Sequence, residues 1–197
     1  MNLPTIILLR HGQTIWNVEG RYQGQLNSNL TDLGKKQAKN NALKIAKLIG
    51  TNPEIKFFSS PLGRAKETSS IICDTLDLDK NKIIFDDNIQ EVNYGIFEGK
   101  TKEFCKKKYK KEFEAREANK WSYVLEGGES YEMVTKRIYS WLESVKDEKM
   151  VVLVAHEMIN RALRGIYCSY DKEIMLKLRQ NNNVVLKLEN SKEMIVD

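Results

Sequence analysis

The stretch LLRHGQTIWN, residues 8–17, places Arg10, His11 and Gly12 directly after the aliphatic run TIILL (5–9). Only two histidines occur in 197 residues, and the second, His156, follows a similar run in VVLVAHEMIN (151–160). Short apolar runs rich in branched side chains have the length of buried strands. Three more stand at IKFF (55–58), KIIF (82–85) and NVVLKL (183–188). Between the runs the apolar period changes. Ala38, Ala42, Ile45, Ala46 and Ile49 recur at helical spacing after Thr31, a good N-cap, and Val134, Ile138, Trp141, Leu142 and Val145 do so after Ser130. A third helix is predicted over 61–76, opening in SSPLGRAKET (59–68) with Ser60 as cap and Pro61 in the first helical position.

Strands alternating with helices predict an α/β fold with a mainly parallel sheet. In such sheets ligands bind in the crevice beyond the carboxyl ends of the strands. Both histidines sit where a strand would end, Ser59 and Ser60 occupy the equivalent place after IKFF, and Arg64 follows within a turn. Arg10, His11, Arg64 and His156 are therefore expected to converge on one rim.

The bulk composition bounds the function. The length suits a single domain over residues 1–197, with no repeat, low-complexity tract or linker-like segment to divide it. A hydrophobic content of 41% with 30% charged residues excludes a disordered or fibrous chain. The formal net charge of +5 favours an anionic partner without naming its class. Basic residues interleave with acids rather than with stacking aromatics, so no nucleic-acid binding is expected. The densest basic run, CKKKYKKEFEAREANK (105–120), reads either as a solvated helix face or as electrostatic guidance of an anion into a nearby cleft. Cys73, Cys105 and Cys168 have neither disulfide-framework nor metal-site spacing, and Cys73 lies on the apolar side of its helix. The opening MNLPTIILLR lacks a basic leader and is too short to span a bilayer, so the expected setting is the cytoplasm, with no membrane partner.

Arg10 and Arg64 carry planar forks that suit paired hydrogen bonds to phosphate or carboxylate oxygens. Imidazolium forms are disfavoured beside two guanidiniums, so at least one histidine should be neutral near pH 7 and nucleophilic. Such a ring, in line behind a clamped phosphoryl group, can take that group over. The leaving alkoxide then needs a proton from a carboxyl group. DDNIQEVNYGIFEGK (86–100) offers Asp86, Asp87, Glu91 and Glu98, of which only Glu91 follows an apolar segment closely enough to lie at a strand end.

These motifs together resemble the histidine phosphatases, the phosphoglycerate mutase-like superfamily. LLRHGQTIWNVEGRYQGQLNSNLTDLGKKQA resembles the family's opening signature, SSPLGRAKET its second motif, EVNYGIFEGK its acid segment, GGES its substrate-loop segment and VAHEMINRALRG its last, in the family's order. The resemblance implies a three-layer α/β/α sandwich, a phosphohistidine intermediate and a phosphatase of the histidine acid or broad-specificity type. It implies neither metal nor organic cofactor. Carried over by position, His11 is the nucleophile, Arg10, Arg64 and His156 complete the phosphate pocket, Glu91 is the proton donor and Asn17 bonds the phosphoryl group. Gln23 and Gly24 line the substrate entrance. Trp16 and Leu30 read as packing residues, Arg21 and Arg161 as ion-pair partners, and Ser130 as a helix cap beside Glu129.

Two positions depart from the family's pattern. Asn27 stands where an aspartate is common, and Glu157 stands where glycine is common after the second histidine. A carboxylate turned into the pocket would repel phosphate or raise the pKa of His156, whereas one turned outward would favour the following helix; the outward orientation is expected. The short connection after EVNYGIFEGK resembles the hydrolytic branch, so hydrolysis of a small phosphomonoester is expected ahead of a phosphoglycerate mutase. A non-catalytic phospholigand-binding scaffold is the third reading. Neither the particular phosphomonoester nor the oligomeric state is legible.

Overall fold

The computed structural model describes residues 3–50 and 55–197. Along the chain run β1 (Thr5–Arg10), α1 (Ile15–Val18), α2 (Asp32–Ile49), β2 (Lys56–Ser59), α3 (Gly63–Leu76) and β3 (Ile83–Phe85). They are followed by α4 (Lys102–Lys108), α5 (Lys110–Ala118), α6 (Tyr131–Ser144), β4 (Met150–Ala155), α7 (Glu157–Tyr167), α8 (Lys172–Lys177), β5 (Val185–Glu189) and β6 (Lys192–Val196). The strands form one sheet in the order β3-β2-β4-β1-β5-β6. Strands β1 to β4 pair in parallel, while β5 runs antiparallel to β1 and β6 antiparallel to β5.

The continuous apolar runs follow from burial on both faces. Along β1, Ile6 and Leu8 face a layer that contains Val134, Ile138 and Trp141 of α6 and Ile159 of α7. Their neighbours Ile7 and Leu9 face Ala42 and Ile45 of α2 and Ala65 and Ile72 of α3. The result is the expected three-layer α/β/α sandwich with a mainly parallel sheet. Each of these fully buried aliphatic side chains is worth roughly 1.5–3 kcal/mol of burial. A smaller third core gathers Tyr22, Phe97, Cys105 and Leu125 with Tyr109 and Phe113, and it seats α4 and α5 as a cap.

Thr31 and Ser130 cap α2 and α6 as their positions predict, and Cys73 is core. Three expectations change. The helix predicted from 61 starts at Gly63, with Leu62 as an N-cap that makes no side-chain bond. The missing acceptor comes from far away in the chain: Asn27 Oδ1 receives the Arg64 backbone N–H at 2.8 Å. KIIF yields only a three-residue edge strand whose last two residues are exposed, because no strand pairs with its outer side. Finally, β6 was not among the predicted strands. It forms a hairpin with β5 through Asn190 and Ser191, both at positive φ (52° and 58°). Two consecutive left-handed residues make the turn type that suits the twist of a two-residue hairpin.

Candidate active site

The topology itself gathers the site. β4 lies between β1 and β2, so three neighbouring parallel strands deliver His11, His156 and Ser60 just past their carboxyl ends. In register, Arg10 faces Ala155 and Ser59 faces Val154. His11 N–H continues the ladder to Ala155 O at 3.0 Å, and Ser60 N–H bonds Val154 O at 3.0 Å. The ring centroids of His11 and His156 are 5.2 Å apart.

Gly12 is required by packing rather than by dihedral freedom. A Cβ there would stand 2.4 Å from the carbonyl oxygen of Gly34, where the first turn of α2 crosses the loop after β1. That close crossing holds His11 against the sheet. Asn182 Nδ2 also bonds His11 O at 2.6 Å, and Thr68 Oγ1 accepts the Gly12 N–H at 3.0 Å.

The His11 ring has a defined tautomer. Nδ1 is 2.8 Å from Gly12 O, and a carbonyl can only accept, so the proton is on Nδ1 and Nε2 keeps the lone pair. Burial, then Arg64 and Arg10, hold its pKa well below 6.5, so the ring is neutral near pH 7. His156 is lowered for the same reasons, burial first and Arg64 next. Its Nε2 is 2.7 Å from Ser60 Oγ, and the Leu62 N–H reaches that oxygen at 3.3 Å. The Ser60 hydroxyl engages Nε2 and leaves the other ring nitrogen, Nδ1, unengaged. That atom is buried and has no partner among the described residues. Ser60 thus serves His156 and not the helix cap predicted for it.

Arg64 is almost wholly buried, and its guanidinium bonds Leu26 O and Gly24 O, each at 2.7 Å. Burial lowers its pKa to about 10, so it remains a cation at neutral pH. Its Nε, like Arg10 Nε, is buried without a partner among the described residues. Unpaired buried polar atoms are uncommon and costly, and here two guanidinium nitrogens and one imidazole nitrogen of the predicted quartet are such atoms. Gly24 sits at φ +55°, where glycine is favoured, and a Cβ there would lie 1.8 Å from Glu98 Oε1 and displace that side chain.

Glu91 lies beyond β3 and a short turn of 3₁₀ helix at Asp87–Ile89. It is buried, and its oxygens accept the Val92 N–H (3.0 Å) and the Met158 N–H (3.4 Å). Desolvation raises its pKa, against the opposing pull of Arg64 and those backbone donors. The main chain bearing it is clamped by Arg137 of α6, which donates to Gln90 O (2.8 Å) and Glu91 O (3.3 Å) and pairs with Glu129 at 3.0 Å through both of that residue's oxygens. Glu129 and Ser130 therefore support the site from outside.

Arg10, His11, Asn17, Gln23, Gly24, Arg64 and Glu91 all line one cavity of about 390 Å³. His156, fully buried, is not part of its wall but adjoins His11. Asn17 Oδ1 accepts the Thr14 N–H at 3.1 Å, and Gln23 Oε1 accepts the Thr14 hydroxyl at 3.0 Å. Leu30 packs inside and Arg21 and Arg161 pair with Glu19 and Glu157, as expected; Trp16, Arg21 and Arg161 also reach the cavity wall.

Glu157 does not turn outward. It lines the cavity, pairs with Arg10 through one oxygen, and meets Arg161 Nη2 at 2.5 Å through the other. The reason is register: Ala155 is opposite Arg10, so the first residue of α7 starts beside that guanidinium, and Arg161 follows one turn later. Arg179 stands 3.9 Å from the same oxygen as Arg161, so three guanidiniums surround the carboxylate, and His156 keeps its lowered pKa.

Residues 6–195 match the histidine phosphatase superfamily (branch 1). The chain belongs to this family. It is 31% identical over 198 residues to phosphoserine phosphatase 1 of Hydrogenobacter thermophilus, covering 93% of this chain and 90% of the relative. It is also 31% identical to the 2,3-bisphosphoglycerate-dependent phosphoglycerate mutase of a Chelativorans species, covering 88% of this chain and 86% of the relative. A mycobacterial glucosyl-3-phosphoglycerate phosphatase solved with VO₃ superposes with a TM-score of 0.77 at 25% identity, covering 98% of this chain and 97% of that one. Among the described residues no helix is long and apolar enough to cross a membrane.

Proposed function

We propose that the protein hydrolyses phosphomonoesters of small metabolites through a phosphohistidine at His11. The observation that carries this reading is the fixed tautomer: a buried, neutral imidazole with its Nδ1 proton on Gly12 O and its Nε2 lone pair free, beside Arg10 and Arg64. Nε2 attacks phosphorus, the ester P–O bond breaks, and the leaving oxygen takes the proton of the Glu91 carboxyl group. The Nδ1–H bond to Gly12 O stabilises the positive charge the ring acquires. Water then gives a proton back to Glu91 and attacks the phosphohistidine, the N–P bond breaks, and inorganic phosphate leaves with His11 neutral again. The unpaired guanidinium donors Arg10 Nε and Arg64 Nε supply hydrogen bonds to the phosphoryl oxygens, each worth about 1.5–3 kcal/mol, and His156 Nδ1 adds one when the ring proton rests there. Asn17 adds its amide nitrogen, and Gln23 and Gly24 shape the entrance.

The relatives support the hydrolytic reading, and a mutase relative of equal identity keeps phosphoryl transfer to a second substrate in view. A mutase must shield its phosphohistidine from water. Here the cavity wall includes residues open to solvent, such as Lys102 and Arg179, which favours hydrolysis. Burial and the two guanidiniums hold the His11 pKa well below 6.5, which keeps the nucleophile uncharged near neutral pH. Three free cysteines accord with a reducing, cytoplasmic setting.

Phosphate release over a phosphomonoester panel tests this. His11→Ala abolishes turnover. Glu91→Gln slows it by about 10²–10⁴ for poor leaving groups and far less for nitrophenolate, which needs no proton. Equal activity of both variants and wild type contradicts the mechanism, and faster formation of 2-phosphoglycerate from 3-phosphoglycerate than of inorganic phosphate favours the mutase.

A further inference from the structure

The two arginines of the phosphate pocket are held in different ways. Arg64 commits its terminal nitrogens to the carbonyl oxygens of Leu26 and Gly24, neutral partners that orient the fork and leave its charge whole. Arg10 is held by a charge. Its Nη1 donates to Gln180 O at 3.1 Å, a neutral contact of the same kind, and also to the carboxylate of Glu157. That carboxylate lines the same cavity and is 17% exposed, so water and salt screen the pair only in part. An anion already sits on one of the two cations that the phosphoryl group depends on.

Glu157 has a second place to go. Its other oxygen meets Arg161 Nη2 at 2.5 Å, and Arg179 Nη1 stands 3.9 Å from that same oxygen. Arg161 is fixed from behind, since its Nη1 donates to Leu176 O at 3.2 Å, and its Nε is buried with no partner among the described residues. The Arg179 side chain is 67% exposed and can close on the carboxylate without disturbing the core. A side-chain rotation that carries Glu157 off Arg10 therefore leaves the carboxylate paired, because two guanidiniums receive it. Gln180 O keeps the Arg10 fork in place meanwhile, and the whole charge of Arg10, with its unpaired Nε, passes to an incoming phosphoryl group.

We propose that Glu157 is an exchangeable counter-ion of the phosphate pocket: it neutralises Arg10 while the site is empty, moves onto Arg161 and Arg179 when a phosphoryl group enters, and returns to Arg10 to speed the departure of inorganic phosphate. The inference rests on the phosphatase reading above and makes Glu157 a positioning residue that acts through Arg10. Phosphate binding is then a competition between two anions for one guanidinium, and the resident carboxylate lowers the affinity for substrate and product alike. An enzyme that releases a free anion gains from this, since tight retention of orthophosphate would limit its turnover.

Calorimetric titration with orthophosphate, which needs no turnover, tests the exchange. Glu157→Gln keeps the size of the side chain and removes its charge, and it binds orthophosphate about tenfold more tightly than wild type. With p-nitrophenyl phosphate the same variant lowers KM and the inhibition constant of orthophosphate together by a similar factor while kcat does not rise, a split that a packing defect would not produce. Should the Gln variant not fold, Glu157→Gly, which carries the residue common in the family, reads the same ratios. Equal or weaker orthophosphate binding by the variant overturns the exchange and leaves the hydrolase reading intact, as does a kcat that rises with the affinity. Tighter orthophosphate binding by the variant, with no phosphomonoester hydrolysed by wild type, sustains the counter-ion and overturns the hydrolase reading instead.

Discussion

At the scale of single residues, the site is a set of groups whose protonation is fixed by burial. His11 and His156 are neutral when folded and have an ordinary pKa near 6.5 when unfolded. Below pH 6.5 the unfolded chain binds protons that the folded chain refuses, so each histidine lowers stability as pH falls, by at most about 1.4 kcal/mol per pH unit. Glu91 has the opposite sign: its raised pKa makes the folded chain the tighter proton binder, a contribution present below pH 4.5 and lost as pH rises through its folded value. We expect denaturant unfolding between pH 6.5 and 5.5 to lose less stability in His156→Gln than in wild type. Identical slopes would mean that the ring is protonated in the native state. That Arg10, His11, Arg64, Glu91 and His156 come together was legible in the sequence because each falls at a strand end or just after a turn. The orientation of Glu157 was not, since it depends on which strand neighbours β1, and the partner of Ser60 was hidden for the same reason.

At the scale of elements, the apolar runs and the helical periods gave the alternation of strands and helices, and caps such as Thr31 and Ser130 gave helix starts. What failed were features completed by distant chain segments. The start of α3 is set by Asn27 rather than by Ser60, and β3 is a thin edge because, among the described residues, it is the last strand of the sheet. The hairpin β5–β6 was missed since KEMIV (192–196) is largely exposed and has no apolar run to mark it. Its turn nevertheless carries a local signature in two residues at positive φ. A left-handed conformation costs a residue with a Cβ roughly 1–2 kcal/mol, most of all a β-branched one, whereas glycine adopts it freely. Thermal unfolding should therefore rank Ser191→Gly at or above wild type and Ser191→Val below it by about 1 kcal/mol, a Tm loss of roughly 2–4 °C for a chain of this size. A valine variant as stable as wild type would show that the turn is not held in this form.

At the scale of the whole molecule, function follows from one topological fact. Parallel strands from sequence positions near 5, 56 and 150 lie side by side, and their carboxyl ends bring two imidazoles together beside two guanidiniums and the Glu91 carboxyl group, whose pKa burial raises. The cap of α4 and α5, built on its own small aromatic core, closes the far wall and gives the cavity its charge. The cap's inward residues could not be read from spacing, because they are set by Tyr22 and Tyr94, whereas Arg161 of α7 is the ion-pair partner its position suggested, with Glu157 as its carboxylate. The most direct measurement is to quench the protein during turnover of a phosphomonoester and locate the bound phosphoryl group by peptide mapping under alkaline conditions. The account predicts an acid-labile, alkali-stable adduct on the imidazole of His11 that is absent from His11→Ala. Turnover with no such adduct, or with the phosphoryl group on any other residue, would contradict it.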